Sequence, residues 1–226
     1  MFKEKVLKLK TVNEWAANNK KNFKPQRDKV KICMIDDTPM NTSELNKMGY
    51  TQVRIMDAYG AIEDTEPYDV ILCDIKGIGE KIDPVRQGIA VALDIKKMHP
   101  EKVVIQFSGQ KPEEFDSDFK YNNMMIDGFI EKGKSTKDLV DKLDEICDAY
   151  WNPIKAWKFA ERNLRREDNS NKVIAYLEDA YVKSLEKNKD YIKVYKEKMN
   201  GADLVNMSVG ILNFLSQILA MLNNIK

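Results

Sequence analysis

The sequence predicts an α/β protein: a five-stranded, parallel, doubly wound sheet followed by an all-helical C-terminal region. Three observations lead there. Short runs rich in β-branched residues recur five times between residues 30 and 131. Segments with helical spacing separate them. Past residue 150 the strand-like runs stop.

The strand runs are VKICMID at 30–36, QVRIMD at 52–57, DVILCD at 69–74, KVVIQF at 102–107 and DGFIE at 127–131. The first, third and fourth are almost continuously apolar, as strands covered on both faces should be. Helical spacing occupies about 39–48, weakly 59–65, then 86–98, 111–125 and 135–149. Parallel sheets of this kind bind ligands beyond the carboxyl ends of their strands, so the residues at those ends carry the chemistry.

Beyond residue 150, two helices are expected at 153–166 and 170–199, separated by REDNSN at 166–171, with Asn169 or Ser170 capping the second. Residues 204–225 contain no charge; Leu204, Ile211, Leu215, Ile218 and Leu222 recur at helical spacing while Asn206, Asn213, Gln217 and Asn224 fall on another face. A packing or oligomerisation helix is the first reading of this segment. A membrane-spanning tail is the second, since about twenty uncharged residues meet the length requirement. An interfacial helix is the third, and the lack of a Lys/Arg face argues against it. The expected division is a basic N-terminal extension at 1–29, a sheet domain at 30–150 and a helical region at 151–226.

Composition narrows the function. The chain has 226 residues, and 37 basic against 36 acidic side chains leave a formal charge of +1, so the overall field selects no partner. The local excess of Lys and Arg in 1–31 is read as a solvated helix face. No helix-turn-helix is evident after residue 150, which argues against nucleic acid. Cys33, Cys73 and Cys147 are odd in number and lack C-x-x-C spacing; Cys33 and Cys73 sit inside apolar strand runs, as expected of reduced core thiols in a cytoplasmic protein. No apolar signal-peptide core is visible at the N-terminus. A single histidine, His99, and no Cys cluster leave no donor set for zinc or for a Ser/His triad.

Four strand ends finish in chemically useful residues: Asp36 and Asp37 after the first, Asp74 after the third, Ser108 after the fourth, and Lys132 after the fifth. On a parallel sheet these converge on one edge. Three carboxylates side by side repel one another unless a hard divalent cation lies among them. Oxygen-only ligation suits Mg²⁺. An Asp beside Mg²⁺ and a Lys ammonium can attack a phosphoryl group whose oxygens the metal, the ammonium and the Ser108 hydroxyl stabilise. Gly109 leaves room for a phosphate. The bland counterpart is a helix cap at Asp36-Asp37-Thr38-Pro39 and a surface lysine at 132.

Over residues 30–150 the ordered set of an acid pair, an Asp, a Ser followed by a small residue, and a Lys resembles the receiver domain of bacterial response regulators, which has a flavodoxin-like sheet. The resemblance implies that Asp74 accepts a phosphoryl group and that Asp37 ligates Mg²⁺ directly, with Asp36 acting mainly through water. It also implies a backbone-carbonyl metal ligand at Lys76, a switch hydroxyl at Ser108, a phosphoryl contact from Lys132, and an aromatic switch at Phe129. The implied partner is a sensor kinase or phosphotransfer protein. The protein would then be no enzyme in its own right, and its C-terminal helices would carry the output by protein–protein contact. Two departures stand out: Gly133 replaces the proline that comes after the family's lysine, and the segment IKGIGEKIDPVRQG at 75–88 is longer than the family's loop.

Two other classes compete. One is an unphosphorylated pseudo-receiver serving as a scaffold, with membrane association through residues 204–225. The other is a haloacid-dehalogenase-like phosphatase, which also combines Asp, Ser and Lys but requires Asp-x-Asp; Thr38 stands where its second acid belongs.

Overall fold

The structure, a computed structural model, describes residues 9–38, 41–109, 126–167, 169–198 and 209–223. The chain forms two compact units. One is Pro25–Asp148; the other joins the described residues of 1–24 to those of 149–226.

The first unit is built on five parallel strands: β1 (Lys31–Ile35), β2 (Gln52–Met56), β3 (Val70–Cys73), β4 (Val103–Ser108) and β5 (Gly128–Glu131), in the order β2-β1-β3-β4-β5. Each lies within one or two residues of the run expected for it. All residues of β3 and β4 are buried, whereas β2, an edge strand, is only partly covered. This is why the apolar pattern was continuous at the centre and weak at that edge. On one face Cys33, Ile35, Ile71, Cys73 and Val104 pack with Val91, Ala92 and Ile95 of the helix Gly88–Met98. Each Val or Ile among them contributes about 1.5–3 kcal/mol on burial.

In the second unit the first helix of the chain is α1 (Val12–Asn18). Around the sheet run the described helices α2 (Ser43–Lys47), α3 (Gly88–Met98) and α4 (Thr136–Ile146). The helix expected at 39–48 is only five residues long, the weak one at 59–65 is the 3₁₀ turn Ile62–Thr65, and the one expected at 111–125 lies outside the described residues. Between β1 and β3 the strand order reverses direction. This is the switch point at which a crevice forms beyond the strand ends.

The second unit holds α1, α5 (Pro153–Arg166), α6 (Asn171–Lys187), α7 (Tyr191–Lys198) and α8 (Val209–Asn223). Helix α5 starts as Asn152-Pro153 demands, with the Asn152 carboxamide oxygen accepting from Ile154 N at 3.0 Å. Ser170 caps α6. The single helix expected over 170–199 is two, because Asn188 adopts the left-handed conformation (φ 53°) and ends α6. Of the expected N-terminal extension, residues 9–24 group with the helices and 25–29 with the sheet. Thr11 and Glu14 form a capping box at α1, Lys10 N donates to Asp179 Oδ1 at 3.0 Å, and Val12 N donates to Glu178 Oε1 at 2.9 Å. Trp157 stacks on Tyr181, whose hydroxyl donates to Pro153 O. Helix α8 buries Ile211, Leu212, Phe214, Leu215, Ile218 and Leu219 and exposes Asn213 and Gln217, the pattern of a packing helix. No helix among the described residues is long and apolar enough to cross a membrane.

Candidate functional site

Strand length and register deliver the acids to one rim. Asp36 comes directly after β1, and its amide is fixed by Met56 O at 2.9 Å. Asp74 comes directly after β3, with its amide donating to Ile35 O at 2.8 Å. Carboxylate oxygens of Asp36, Asp37 and Asp74 all lie within 4.8 Å of one another. Asp36 and Asp74 are buried and Asp37 is exposed, so the cluster opens to solvent on one side.

Lys132, directly after β5, reaches into this cluster. Its Nζ lies 2.7 Å from Asp36 Oδ2 and 2.5 Å from Asp74 Oδ2. Burial alone would lower its pKa. The hydrogen bonds and charges of Asp36 and Asp74 outweigh burial and hold the ammonium above the usual lysine value. The ammonium also lies over the Phe107 ring, 5.4 Å from its centroid. Asp74 Oδ1 accepts from Ile75 N at 2.7 Å, and Asp36 Oδ1 accepts from Thr38 N at 3.0 Å. Three carboxylates less one ammonium leave two negative charges, all on hard oxygen donors. That donor set fits a divalent hard cation such as Mg²⁺.

Ser108 is buried at the end of β4, opposite Glu131 of β5, and its carbonyl accepts from Lys132 N at 2.8 Å. Phe129 is half-buried and lines a cleft of about 500 Å³ together with Phe107, Ile130, Leu139, Lys132 and Lys142. Lys132 belongs to both this cleft and the acid cluster; among the described residues that line the cleft there is none of the three acids. Lys76 is exposed in the loop after β3.

Both departures from the receiver pattern have local physical causes. Gly133 has φ +86°, which a proline ring forbids. The long loop is folded on itself: Asp83 Oδ1 accepts from Val85 N and Arg86 N, and the Arg86 guanidinium returns to Asp83 Oδ2 at 2.7 Å. Its last residue, Gln87, has φ 47° and ψ −122°, a region that costs a non-glycine residue about 1–3 kcal/mol. The twist lets Gly88 N donate to Ile75 O at 2.9 Å; a Cβ at Gly88 would lie 1.7 Å from the Asp74 carbonyl oxygen.

Sequence reasoning gave no role to Gln87, Gly77, Phe107 or Gln106. The glycine pair at 77 and 79 was the one sign of a tight loop, and a glutamine inside an apolar strand run was the one sign at 106. The Gln106 side chain is buried on the same strand face as Ser108, and its amide has no hydrogen-bond partner among the described residues.

No family model and no curated protein matches the chain. Solved structures do resemble it. The Vibrio cholerae chemotaxis protein CheY4 is 16% identical, over 52% of this chain and 98% of that one, with a TM-score of 0.41. The matched structures include response regulator receiver domains, each aligned over about half of this chain. A CheY-like response regulator receiver domain from Methanospirillum hungatei is 22% identical over 53% of this chain and 94% of its own, at a TM-score of 0.39. The NtrX receiver domain of Brucella abortus is 20% identical over 52% and 98%, also at 0.39.

Proposed function

We propose that the sheet unit is a phosphoryl-accepting receiver module in a signalling protein. The observation that carries this reading is the Lys132 ammonium bonded to both Asp36 and Asp74 at the rim where Asp37 also lies. In the proposed step an oxygen of the Asp74 carboxylate attacks phosphorus. The bond from phosphorus to the donor's leaving oxygen or nitrogen breaks with its electron pair, and an acyl phosphate forms. Asp36, Asp37 and the Lys76 carbonyl would hold Mg²⁺, which supplies charge neutralisation for the phosphoryl oxygens. Lys132 would exchange its bond to Asp74 Oδ2 for one to a phosphoryl oxygen. Ser108, one strand over, would donate its hydroxyl to another. Because Phe129 lies in β5, which pairs with the strand that ends in Ser108, a shift at Ser108 would be felt along β5 and at the cleft Phe129 lines. A sensor kinase or phosphotransfer protein would be the donor, and the helical unit would transmit the outcome by protein contact.

A second reading is favoured by the self-contained 75–87 loop and by Gly133: a pseudo-receiver in which Lys132 stays paired with Asp36 and Asp74 and the unit serves as a scaffold. Beryllofluoride with Mg²⁺ separates the two. Under the first reading the amide resonances of Ser108 and Phe129 shift, and the shifts vanish in Asp74→Asn. Unchanged spectra in the wild-type protein would leave the scaffold reading standing.

A further inference from the structure

We infer that Gln87 is a positioning residue for the divalent cation: its side chain fixes the direction of the Lys76 carbonyl. Its backbone occupies a conformation suited to glycine (φ 47°, ψ −122°), yet the residue carries a side chain, and that side chain has a specific destination. Gln87 Oε1 accepts a hydrogen bond from Gly77 N at 3.0 Å, across the neck of the 75–87 loop, while its Nε2 donates to Pro84 O at 3.4 Å.

The Gly77 amide hydrogen is bonded to the nitrogen of the Lys76–Gly77 peptide. That peptide is planar and trans, so its carbonyl points opposite to its N–H. Holding the N–H with a glutamine oxygen therefore sets where the Lys76 oxygen points. The same peptide adjoins the acids. A Cβ on Gly77 would lie 2.2 Å from Asp37 Oδ2, so the backbone there rests against the exposed carboxylate of the cluster. One residue beyond Gln87, Gly88 abuts the Asp74 carbonyl. Gln87 thus ties the loop carrying the backbone ligand to the segments bearing Asp37 and Asp74. Its strain is the cost of placing an acceptor at that point, and glycine would remove the strain and the acceptor together. Groups that orient a metal ligand without touching the ion alter affinity by about 10–100-fold when removed.

This inference rests on the metal-binding reading proposed above, and the experiment keeps the two apart. Mn²⁺ binding to the full chain is titrated alongside thermal unfolding for wild type, Gln87→Gly and Gln87→Glu. Gln87→Gly should unfold at a temperature no lower than wild type yet bind Mn²⁺ about tenfold more weakly. Gln87→Glu, which keeps an acceptor oxygen at the same reach, should bind at wild-type strength or tighter. Should Gln87→Gly bind as well as wild type, the positioning role is wrong and the metal site survives. A glycine variant that loses stability and affinity together makes Gln87 merely structural and overturns the inference. Glu and Gly variants equally weakened overturn it too, because the acceptor would then not matter. If the wild-type chain binds no Mn²⁺, the metal reading itself falls, and this inference with it.

Discussion

The amino rim of the sheet holds two buried lysines and the carboxyl rim a half-buried one, and the two rims use them oppositely. At the carboxyl rim one ammonium, Lys132, faces Asp36 and Asp74 with Asp37 open to solvent beside them. At the amino rim the charges are closed off. The Lys96 ammonium donates to Pro100 O, Lys102 O and Asp127 Oδ2, which uses all three of its hydrogens. Lys102 donates to Glu66 O and Tyr68 O. Burial lowers the Lys102 pKa, whereas paired carboxylates raise that of Lys132 despite burial. A charged cluster that merely staples a fold is saturated with partners from its own chain. One that can take a ligand keeps surplus charge and an open side.

That contrast can be broken by mutation. Lys96→Met, which leaves the Asp127 carboxylate buried without its ammonium, should cost about 3–5 kcal/mol in urea unfolding while leaving Mn²⁺ affinity unchanged. A change in metal affinity there would mean that the two rims are not independent. Asp37→Asn removes the exposed acid of the open rim and should weaken Mn²⁺ about a hundredfold, ~2.8 kcal/mol, with little change in stability without metal. Gln106→Met exchanges a buried amide that has no partner among the described residues for an apolar side chain of similar volume. A gain of about 1–2 kcal/mol in the same unfolding experiment is expected; a loss would show that the amide is paired in solution.

The smallest effect is in pH. The folded pKa of Lys132 is raised, so its contribution to stability is complete below the ordinary lysine value of about 10.4 and is lost as pH climbs through the folded value. The stability gap between wild type and Lys132→Met should therefore narrow at the alkaline end. Lys102, with its pKa lowered by burial, carries the reverse sign: relative to Lys102→Met, wild type should gain stability as pH rises from the lowered folded value to the ordinary one. Two gaps moving in the same direction would erase the distinction between the rims.

Much of the open rim was legible because it depends on the residue placed directly after each strand. Five runs of β-branched residues fixed the strand ends, and the residues after them had to share an edge once the strands were parallel. Asp36, Asp37, Asp74 and Lys132 meet there. The closed rim was not legible. Lys96 and Lys102 look like surface lysines in sequence, and only the tertiary fold brings carbonyls and Asp127 around them. Helix α1 was given no bounds although Thr11 and Glu14 spell a capping box, because the lysine-rich stretch was read only as a solvated helix face. The break at Asn188 was missed because the helical spacing resumes at Tyr191 after a short interruption. Gln87 left no trace in the pattern at all: its φ is imposed by the closure of the loop onto Ile75 and Asp74, contacts that no local rule anticipates.

The central claim is that Asp74 is a nucleophile served by the groups around it. Intact-mass measurement after incubation with Mg²⁺ and a small-molecule phosphodonor addresses this directly, with wild type and Asp74→Ala in parallel. One phosphoryl group should add to the wild-type chain, reversibly in alkali as an acyl phosphate requires, and none to the variant. An unmodified wild-type chain, or equal modification of both, would contradict it.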